Sequence, residues 1–301
     1  MAIQPALAAP VELPDNVQRV LAMQVGLDRA GFSPGEIDAR AGGNTDRALR
    51  AYQAARGLGA TGELNTETAD SLGEFFRTPI VDYTITDADT AGPFITSLPE
   101  DMMERANLAA LSYASALELL AERVHSSPNL LKQLNPKALF ATGETISVPN
   151  VEPFDHRAAI RPAAKSQVTV MVSKQSYSLT VTNDAGEVVM HAPVTVGSAR
   201  DPLPLGEWKV LAVVAYPPFH YNPDLFWDAD PSHAKAKIAP GPNNPVGVVW
   251  IDLSKPNYGL HGTPEPAAIG HSQSHGCVRL TNWDAARLAG LVGPGVRVVF
   301  R

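Results

Sequence analysis

Cysteine is nearly absent from this chain. A single one, Cys277, occurs in 301 residues, so no internal disulfide can form. A lone thiol that cannot form an internal disulfide is a candidate reactive group, especially in an exported protein. Long hydrophobic runs are also missing: no stretch of about 18 consecutive apolar residues occurs, so the sequence predicts no transmembrane segment.

Excess positive charge is lacking as well. The chain has 24 Lys and Arg against 31 Asp and Glu, for a formal net charge of -7. This balance argues against nucleic acid as a partner and against electrostatic adhesion to anionic lipid. Binding is therefore expected to depend on shaped sites.

The first residues bear on localisation. The segment Ala6-Leu7-Ala8 looks like the small-residue end of a signal-peptide cleavage region whose apolar part is missing. We therefore expect an exported, periplasmic protein with a flexible N-terminus over residues 1–14. The alternative is a cytosolic protein with an Ala-rich start.

One stretch, His261 to Leu280, contains Cys277 and three of the eight histidines. An ordinary thiol has a pKa of about 8.5, and lowering it by about two units requires about 2.7 kcal/mol. One hydrogen-bonded imidazolium can supply that energy. His261 and His275 are the candidate partners, so the residues predict a cysteine nucleophile.

Spacing adds a geometric expectation. In an extended segment, His275, Cys277 and Arg279 project from one face. Gly276 lets the backbone turn and approach a substrate. The amides of Gly276 and Cys277 are then candidates to hold the oxyanion of an acyl-transfer intermediate.

Two other roles for these residues stay open at this point. A single cysteine is often a small buried hydrophobe. A zinc site could use His261, His271, His275 and Cys277, although their spacing fits no common zinc pattern. The length and order of the motif favour the nucleophile, without metal or other cofactor.

The residues HGT, a spacer with Gly270, and SHGCVRL resemble the active-site signature of the L,D-transpeptidases of bacterial cell walls. The resemblance implies that Cys277 is the nucleophile and His261 the general base. It also implies that the oxyanion and substrate side is shaped by further motif residues. These are Ser274, His275, Gly276 and Arg279, with Gly262 allowing close packing beside them. Some family members carry Asn where this chain has Arg279.

His261 and His275 are expected to have different roles. A base on an opposing strand can face the thiol, whereas a side chain parallel to Cys277 on the same strand is poorly aimed. We therefore expect His275 to orient the substrate or stabilise the oxyanion.

The chain is expected to be a multidomain α+β protein. Residues 15–78 are predicted to form a small three-helix domain that resembles the peptidoglycan-binding domain, on the basis of Tyr52-Gln53 and Thr61-Gly62. Residues 80–151 predict a small βααβ domain that resembles the lysin motif, with an insertion where that family has a short sugar-contacting loop. Residues 152–166 are predicted to be a linker, and residues 167–301 a mainly-β catalytic domain.

A long aromatic insertion lies between two predicted strands of the catalytic domain. Its Tyr221, Phe226 and Trp227 are expected to form a lid that holds a peptide stem. His220 and His233, in the same insertion, are expected to be surface residues, as is His156 in the linker.

The resemblance implies an enzyme that acts on peptidoglycan tetrapeptide stems. A Cys277 thioester would form with release of D-alanine, and an amine would take the acyl group. The acceptor is open: a second stem, an outer-membrane lipoprotein, or water, which would give a carboxypeptidase or amidase. A non-catalytic wall-binding scaffold is a further alternative. Residues 1–150 are expected to concentrate the enzyme on the wall without taking part in the chemistry.

Overall fold

The computed structural model describes residues 13–163 and 167–301. The Ala6-Leu7-Ala8 segment and most of the stretch predicted to be flexible lie outside the described residues, as does the end of the predicted linker, 164–166. Among the described residues, none of the helices combines the length and the apolar composition that crossing a bilayer requires.

The N-terminal region is helical. Its helices are α1 (Asp15–Arg29), α2 (Gly43–Ala55), α3 (Thr66–Leu72) and α4 (Glu74–Arg77). The predicted third helix is divided in two at Gly73, whose φ of 70° is outside the helical range. Apolar side chains such as Leu27, Leu49 and Tyr52 are buried between these helices.

Gln53 explains part of the peptidoglycan-binding motif in structural terms. Its buried side chain accepts a hydrogen bond from the Gly62 amide at 2.9 Å and donates one to Thr68 Oγ1 at 3.0 Å. Gly62 has a φ of 74°, a conformation that favours glycine. Gln53 and Gly62 therefore fix a turn between two helices.

The next region pairs two strands around helices. Its elements are β1 (Ile80–Thr84), α5 (Asp87–Thr90), α6 (Met102–Ala106), α7 (Ala116–Arg123), α8 (Pro128–Leu134) and β2 (Thr145–Pro149). The strands are antiparallel, with Ile80 opposite Pro149. Helix α6 lies in the insertion. The pattern is the expected βααβ, and its assignment to the lysin motif stays a prediction.

The C-terminal region is built on one large sheet. Its elements are β3 (Val168–Ser173), β4 (Ser178–Asn183), β5 (Val188–Pro193), β6 (Gly206–Ala215), β7 (Phe219–Tyr221), β8 (Ala236–Ile238), β9 (Val249–Leu253), β10 (Gly259–His261), β11 (Val278–Arg279), α9 (Asn282–Leu291) and β12 (Arg297–Phe300). The described strands of the large sheet follow the order β11-β10-β9-β6-β12-β3-β4-β5, and β7 pairs with β8 alone.

Strand β6 curls this sheet. Its first half pairs with β12 and its second half with β9, and the register shifts between Val210 and Ala212. Such a bulge bends a strand and increases its twist. Helix α9 packs on the sheet and buries Leu288. The predicted α+β fold class, with helices first and a curled β-rich region last, is confirmed.

The three regions share cores. Leu21 and Ile37 of the helical region pack in one cluster with Ile85 and Leu120 of the βααβ region. Where it is described, the predicted linker is also packed, because Phe154 is buried in the core of the large sheet. His156, expected to be exposed, is half-buried and stands edge-on to Tyr113 at 5.0 Å.

Helix α9 receives polar contacts from both N-terminal regions. Ser33 donates to Asp284 Oδ2 at 2.8 Å, and the His125 ring stacks on Trp283 at 5.2 Å. Asn282 Nδ2 donates to Glu122 Oε1 at 2.7 Å. Since buried polar groups need their partners, these bonds dock the N-terminal half on the catalytic region.

We expect Glu122→Gln to make stability less dependent on pH. Burial raises the pKa of Glu122 from 4.5 to about 8, against the opposing hydrogen bonds from Tyr113 and Asn282. An acid whose pKa is raised by folding destabilises the fold as it ionises, so wild-type stability should fall between about pH 4.5 and about pH 8. The amide keeps an acceptor for Asn282 and does not ionise. Between about pH 4.5 and about pH 8, Tm should therefore fall less in the variant than in wild type. Each kcal/mol of stability that wild type loses corresponds to about 2–4 °C of Tm.

Glu67→Gln, at an exposed position of α3, is the matched control and should behave as wild type. Equal pH dependence in Glu122→Gln and wild type would show that Glu122 does not titrate in this range.

Candidate active site

The cysteine segment is held along both edges. On one side, β10 and β11 are parallel, with Leu260 beside Val278 and His261 beside Arg279. On the other side, the chain that follows β5 pairs with the same segment, through two bonds between Thr195 and Arg279 at 2.9 and 3.0 Å. Cys277 therefore enters β11 in a fixed position.

The register relates His261 to the residues that follow the thiol. In a parallel pair, residues in register point to the same side, and the pattern repeats every second residue. His261 and Arg279 therefore share a face. Cys277 lies in the bend directly before β11, two residues before Arg279, and its Sγ donates to the Asn257 carbonyl at 3.8 Å. An extended continuation of β11 would place the thiol diagonal to His261.

The turn before the thiol is braced by Ser274. Its Oγ donates to the Cys277 carbonyl at 2.5 Å and accepts from the Gly276 amide at 3.2 Å. Gly276 has a φ of 115°, and a Cβ there would lie 3.1 Å from the Tyr258 ring. Ser274 and Gly276 thus shape the turn, and the Gly276 amide is already engaged. Of the two amides expected to bind the oxyanion, the Cys277 amide is therefore the one that remains available.

This turn also breaks the extended face expected from the sequence. β11 covers only Val278 and Arg279, and the φ of Gly276 is incompatible with a continuous strand through His275. His275 therefore does not project beside Cys277 in the predicted way.

His261 is buried and its tautomer is set by its neighbour. Nδ1 lies 2.7 Å from the Gly262 carbonyl oxygen, which can only accept, so Nδ1 carries the proton. Nε2 is then the basic nitrogen. Burial, and next the positive charge of Arg279, lower the pKa of His261 to about 3. The imidazole is neutral at physiological pH, and the Trp250 ring stacks on it at 5.5 Å.

Gly262 has a different role from the one predicted. Its carbonyl orients the His261 ring, and a Cβ at this position would lie 2.2 Å from Asn282 Oδ1. The close packing is therefore with Asn282 at the start of α9, not with the cysteine segment. Asn282 Oδ1 also accepts from the Val248 amide at 3.1 Å.

The thiol is not activated in the resting site. Burial raises the pKa of Cys277 above its ordinary value, although a backbone hydrogen bond from Gly259 and the charge of Arg279 oppose this. The expectation that an imidazolium lowers this pKa is wrong here, because His261 is neutral. Both groups are therefore neutral in the resting site.

His275 belongs to the lid. Its Nε2 lies 2.8 Å from Asp228 Oδ1, and its ring contacts Phe226 at 5.1 Å and Trp227 at 5.6 Å. Phe226 and Trp227 therefore lie against His275, and their role as a lid stays a prediction. Tyr221 does not contact His275; it is buried where β7 meets the loop of the β7–β8 hairpin.

Sequence reasoning missed several residues around the site. The pKa of Tyr258 is raised by burial and then by the charge of Cys277, which places its ring near the thiol. Tyr258 lies three residues before His261, so its closeness to the active-site motif could have been noticed in the sequence. Asp228 lies within the lid, next to Trp227. Asn282 begins α9, and nothing in its sequence neighbourhood indicates its bonds near the site.

The zinc arrangement is not formed by the described side chains. Within residues 13–163 and 167–301, no group of three or more His, Cys, Asp or Glu side chains is arranged to hold a metal ion. His271 is exposed, as expected for a loop residue.

Sequence comparison gives relatives that are named as L,D-transpeptidases. The protein named "Putative L,D-transpeptidase YkuD" of Bacillus subtilis is 27% identical over 185 residues, which cover 60% of this chain and 91% of the relative. "Putative L,D-transpeptidase YqjB" of Bacillus subtilis is 29% identical over 136 residues, covering 43% of this chain and 69% of the relative.

Solved structures give matches of the same kind. L,D-transpeptidase 3 from Mycobacterium tuberculosis matches with 16% identity and a TM-score of 0.37, over 53% of this chain and 75% of that one. An L,D-transpeptidase from Mycobacterium smegmatis matches with 18% identity and a TM-score of 0.37, over 53% of this chain and 74% of that one.

Two families match separate parts of the chain. Residues 167–300 match the L,D-transpeptidase catalytic domain, and residues 16–72 match the family described as "Putative peptidoglycan binding domain". The C-terminal part of this chain therefore belongs to the L,D-transpeptidase catalytic domain family, joined to an N-terminal domain of the peptidoglycan-binding family.

Proposed function

We propose that this protein is a periplasmic L,D-transpeptidase that acts on peptidoglycan tetrapeptide stems through a Cys277 thioester. One observation carries the proposal. A neutral His261, whose Nδ1 is fixed by the Gly262 carbonyl, lies in register with Arg279 on the strand that begins directly after Cys277. Nε2 of His261 is thus left as the base for the thiol proton.

Acylation begins when Cys277 attacks the carbonyl of the third stem residue, the L-centre of diaminopimelate. The thiol proton passes to His261 Nε2 as the C–S bond forms. The Gly262 carbonyl then accepts from an imidazolium, which strengthens that hydrogen bond. The Cys277 amide is the donor available for the oxyanion.

Collapse of this intermediate breaks the bond to the terminal D-alanine, whose nitrogen takes the proton from His261. The thioester and a neutral imidazole remain. An acceptor amine then attacks the thioester, its proton passes to His261, and the thiolate that leaves recovers that proton. All protons are accounted for, and the thiol and neutral base are regenerated.

Arg279 influences the charge state of both His261 and Cys277. Its positive charge disfavours the imidazolium of His261 and stabilises the thiolate of Cys277. It therefore keeps the base neutral before attack and offsets part of the burial that raises the pKa of the thiol. Arg279 also interacts with the negative charge of Glu265 on the loop after His261.

The other regions serve binding. His275, Phe226 and Trp227 form an aromatic surface for the donor stem, fixed by Asp228. The N-terminal helical domain holds the enzyme on peptidoglycan. The acceptor is a stem amine, which gives a cross-link, or a lysine of an outer-membrane lipoprotein. Transfer to water would give carboxypeptidase activity.

We expect Cys277→Ala to abolish acyl transfer, because Cys277 is the proposed covalent nucleophile. Wild-type enzyme, incubated with disaccharide tetrapeptides, should lose D-alanine and form dimers that mass spectrometry detects. The variant should give neither product, while its circular dichroism stays unchanged. A carbapenem should add one adduct to the intact mass of wild type and none to the variant.

Cys277→Ser is the near-isosteric control and should fold equally well with little turnover. Residual activity of Cys277→Ala within about tenfold of wild type, a difference of about 1.4 kcal/mol in the barrier, would overturn the nucleophile assignment. Tripeptides without dimers would identify a carboxypeptidase, and no change with wild type would favour the wall-binding scaffold.

The neutral pair also predicts how thiol reactivity responds to pH. Alkylation of Cys277 by iodoacetamide should show an apparent pKa above the ordinary value of about 8.5. Arg279→Gln should raise it further, since it removes a charge that stabilises the thiolate. His261→Gln should leave the apparent pKa nearly unchanged, because a neutral imidazole contributes no net charge. The same variant should slow acylation by muropeptide about 100-fold or more.

His271→Ala, at an exposed histidine of the same stretch, is the control and should match wild type in both assays. A clear rise of the apparent pKa in His261→Gln would instead indicate an imidazolium–thiolate pair.

A further inference from the structure

The insertion of the βααβ region lies against the catalytic lid. This insertion was expected to lie where the lysin-motif family has a short sugar-contacting loop. Instead, Met102 and Met103 of α6 pack in one apolar cluster with Tyr221 and Ile238 of the β7–β8 hairpin. The helix and the hairpin are more than 100 residues apart in sequence, and they cover each other's apolar faces.

A chain of polar groups joins the same two elements. The Tyr221 hydroxyl lies 2.9 Å from His233 Nδ1, and His233 Nε2 lies 2.8 Å from Asp101 Oδ2. Because the carboxylate accepts, Nε2 carries a proton, and the other ring nitrogen, Nδ1, faces the Tyr221 hydroxyl. His233 was expected at the surface, but its side chain is only 11% exposed.

Asp101 is itself fixed. Its Oδ1 accepts from the Met103 and Glu104 amides at 2.7 and 2.9 Å, which caps the start of α6. One oxygen of Asp101 thus holds the helix and the other holds His233. The position of the helix is therefore transmitted to the hairpin by hydrogen bonds at both oxygens.

Backbone contacts pin the chain just after the hairpin. The Leu111 amide donates to the Pro240 carbonyl at 3.0 Å, and the Asn243 amide donates to the Leu111 carbonyl at 2.9 Å. Gly241 has a φ of 149°, and a Cβ there would lie 2.1 Å from the Leu111 oxygen. Only glycine fits at this distance, so the contact between insertion and hairpin is close.

Ring contacts continue from this anchor to the active site. The Tyr221 ring lies 5.7 Å from His233 and 5.6 Å from Phe226, and Phe226 lies 5.1 Å from His275. Asp101 is thus connected to His275 through contiguous side chains. Such a packed series is a physical route by which one element fixes the position of another.

We propose that Asp101 and His233 are positioning residues, which hold the lid aromatics against His275 so that the donor stem is recognised. The inference rests on the proposed function. The insertion then serves the catalytic site as its outer wall instead of binding sugar. Loss of the anchor should weaken donor binding while leaving the thiol and His261 unaltered, because neither residue touches them.

His233→Ala in the full chain tests this directly. We expect KM for a disaccharide tetrapeptide to rise about tenfold, which corresponds to about 1.4 kcal/mol, with kcat within about threefold of wild type. Alkylation of Cys277 by iodoacetamide should proceed at the wild-type rate, because this small reagent does not need the lid. Amide hydrogen exchange over residues 219–238 should accelerate, while exchange over 259–262 stays the same.

The chain supplies a matched control and a second variant. His220→Ala removes an exposed histidine from the same hairpin and should change none of these quantities. Asp101→Asn keeps a side-chain oxygen for the helix cap but replaces the second oxygen with an amide that cannot accept from His233. It should raise KM in the same direction as His233→Ala.

Wild-type KM and wild-type exchange over residues 219–238 in both variants would overturn the positioning role. A slower alkylation of Cys277 would also overturn it, since the effect would then reach the thiol itself. If wild type does not process muropeptides at all, the proposed function fails. The exchange experiment still decides in that case whether Asp101 and His233 hold the hairpin.

Discussion

The closure of the sheet around the cysteine segment is the constraint on which the site depends. Residues 274–279 carry hydrogen bonds on one side to β10 and on the other to the chain that follows β5. A segment bonded along both edges cannot slip by one residue, and a slip of one would turn Cys277 to the opposite face. The position of His261 relative to the strand that follows Cys277 is therefore a property of the whole curled sheet.

Burial decides the charge state of this pair. A motif of histidines around a thiol favours an ion pair if the groups are solvated, and the sequence was interpreted that way. In the folded protein, desolvation is the largest effect on both groups, and it disfavours the charged form of each. The sequence identifies which groups meet, whereas their protonation depends on how many atoms cover them.

Features set by local patterns could be predicted from the sequence. The bounds of α9, Asn282–Leu291, follow from a capping residue and an apolar repeat, and the α+β class follows from the same kind of signal. The signature HGT to SHGCVRL led to the family for the same reason, since its residues are close in sequence. The pairing of His261 with the Cys277 strand also agrees with the expectation that they lie on opposing strands.

Features set by distant contacts could not be predicted. Asn282 bonds Glu122, which is 160 positions away, and His233 bonds Asp101, which is 132 positions away. A single polar residue in a sequence carries no mark of a partner so far along the chain. The aromatic content of the insertion predicts a lid, but the burial of Tyr221 depends on contacts with residues more than 100 positions away, which the sequence does not indicate. Together these contacts join regions that were expected to be separate domains.

The shared core of Leu21, Ile37 and Ile85 has a mechanical consequence for an enzyme that works on a polymer. A wall-binding domain on a flexible tether would let the catalytic cleft sample a volume of the wall. Here the same two regions also bond to helix α9, through Ser33 with Asp284 and Glu122 with Asn282, so the helical domain is held at a fixed distance and angle from the cysteine site.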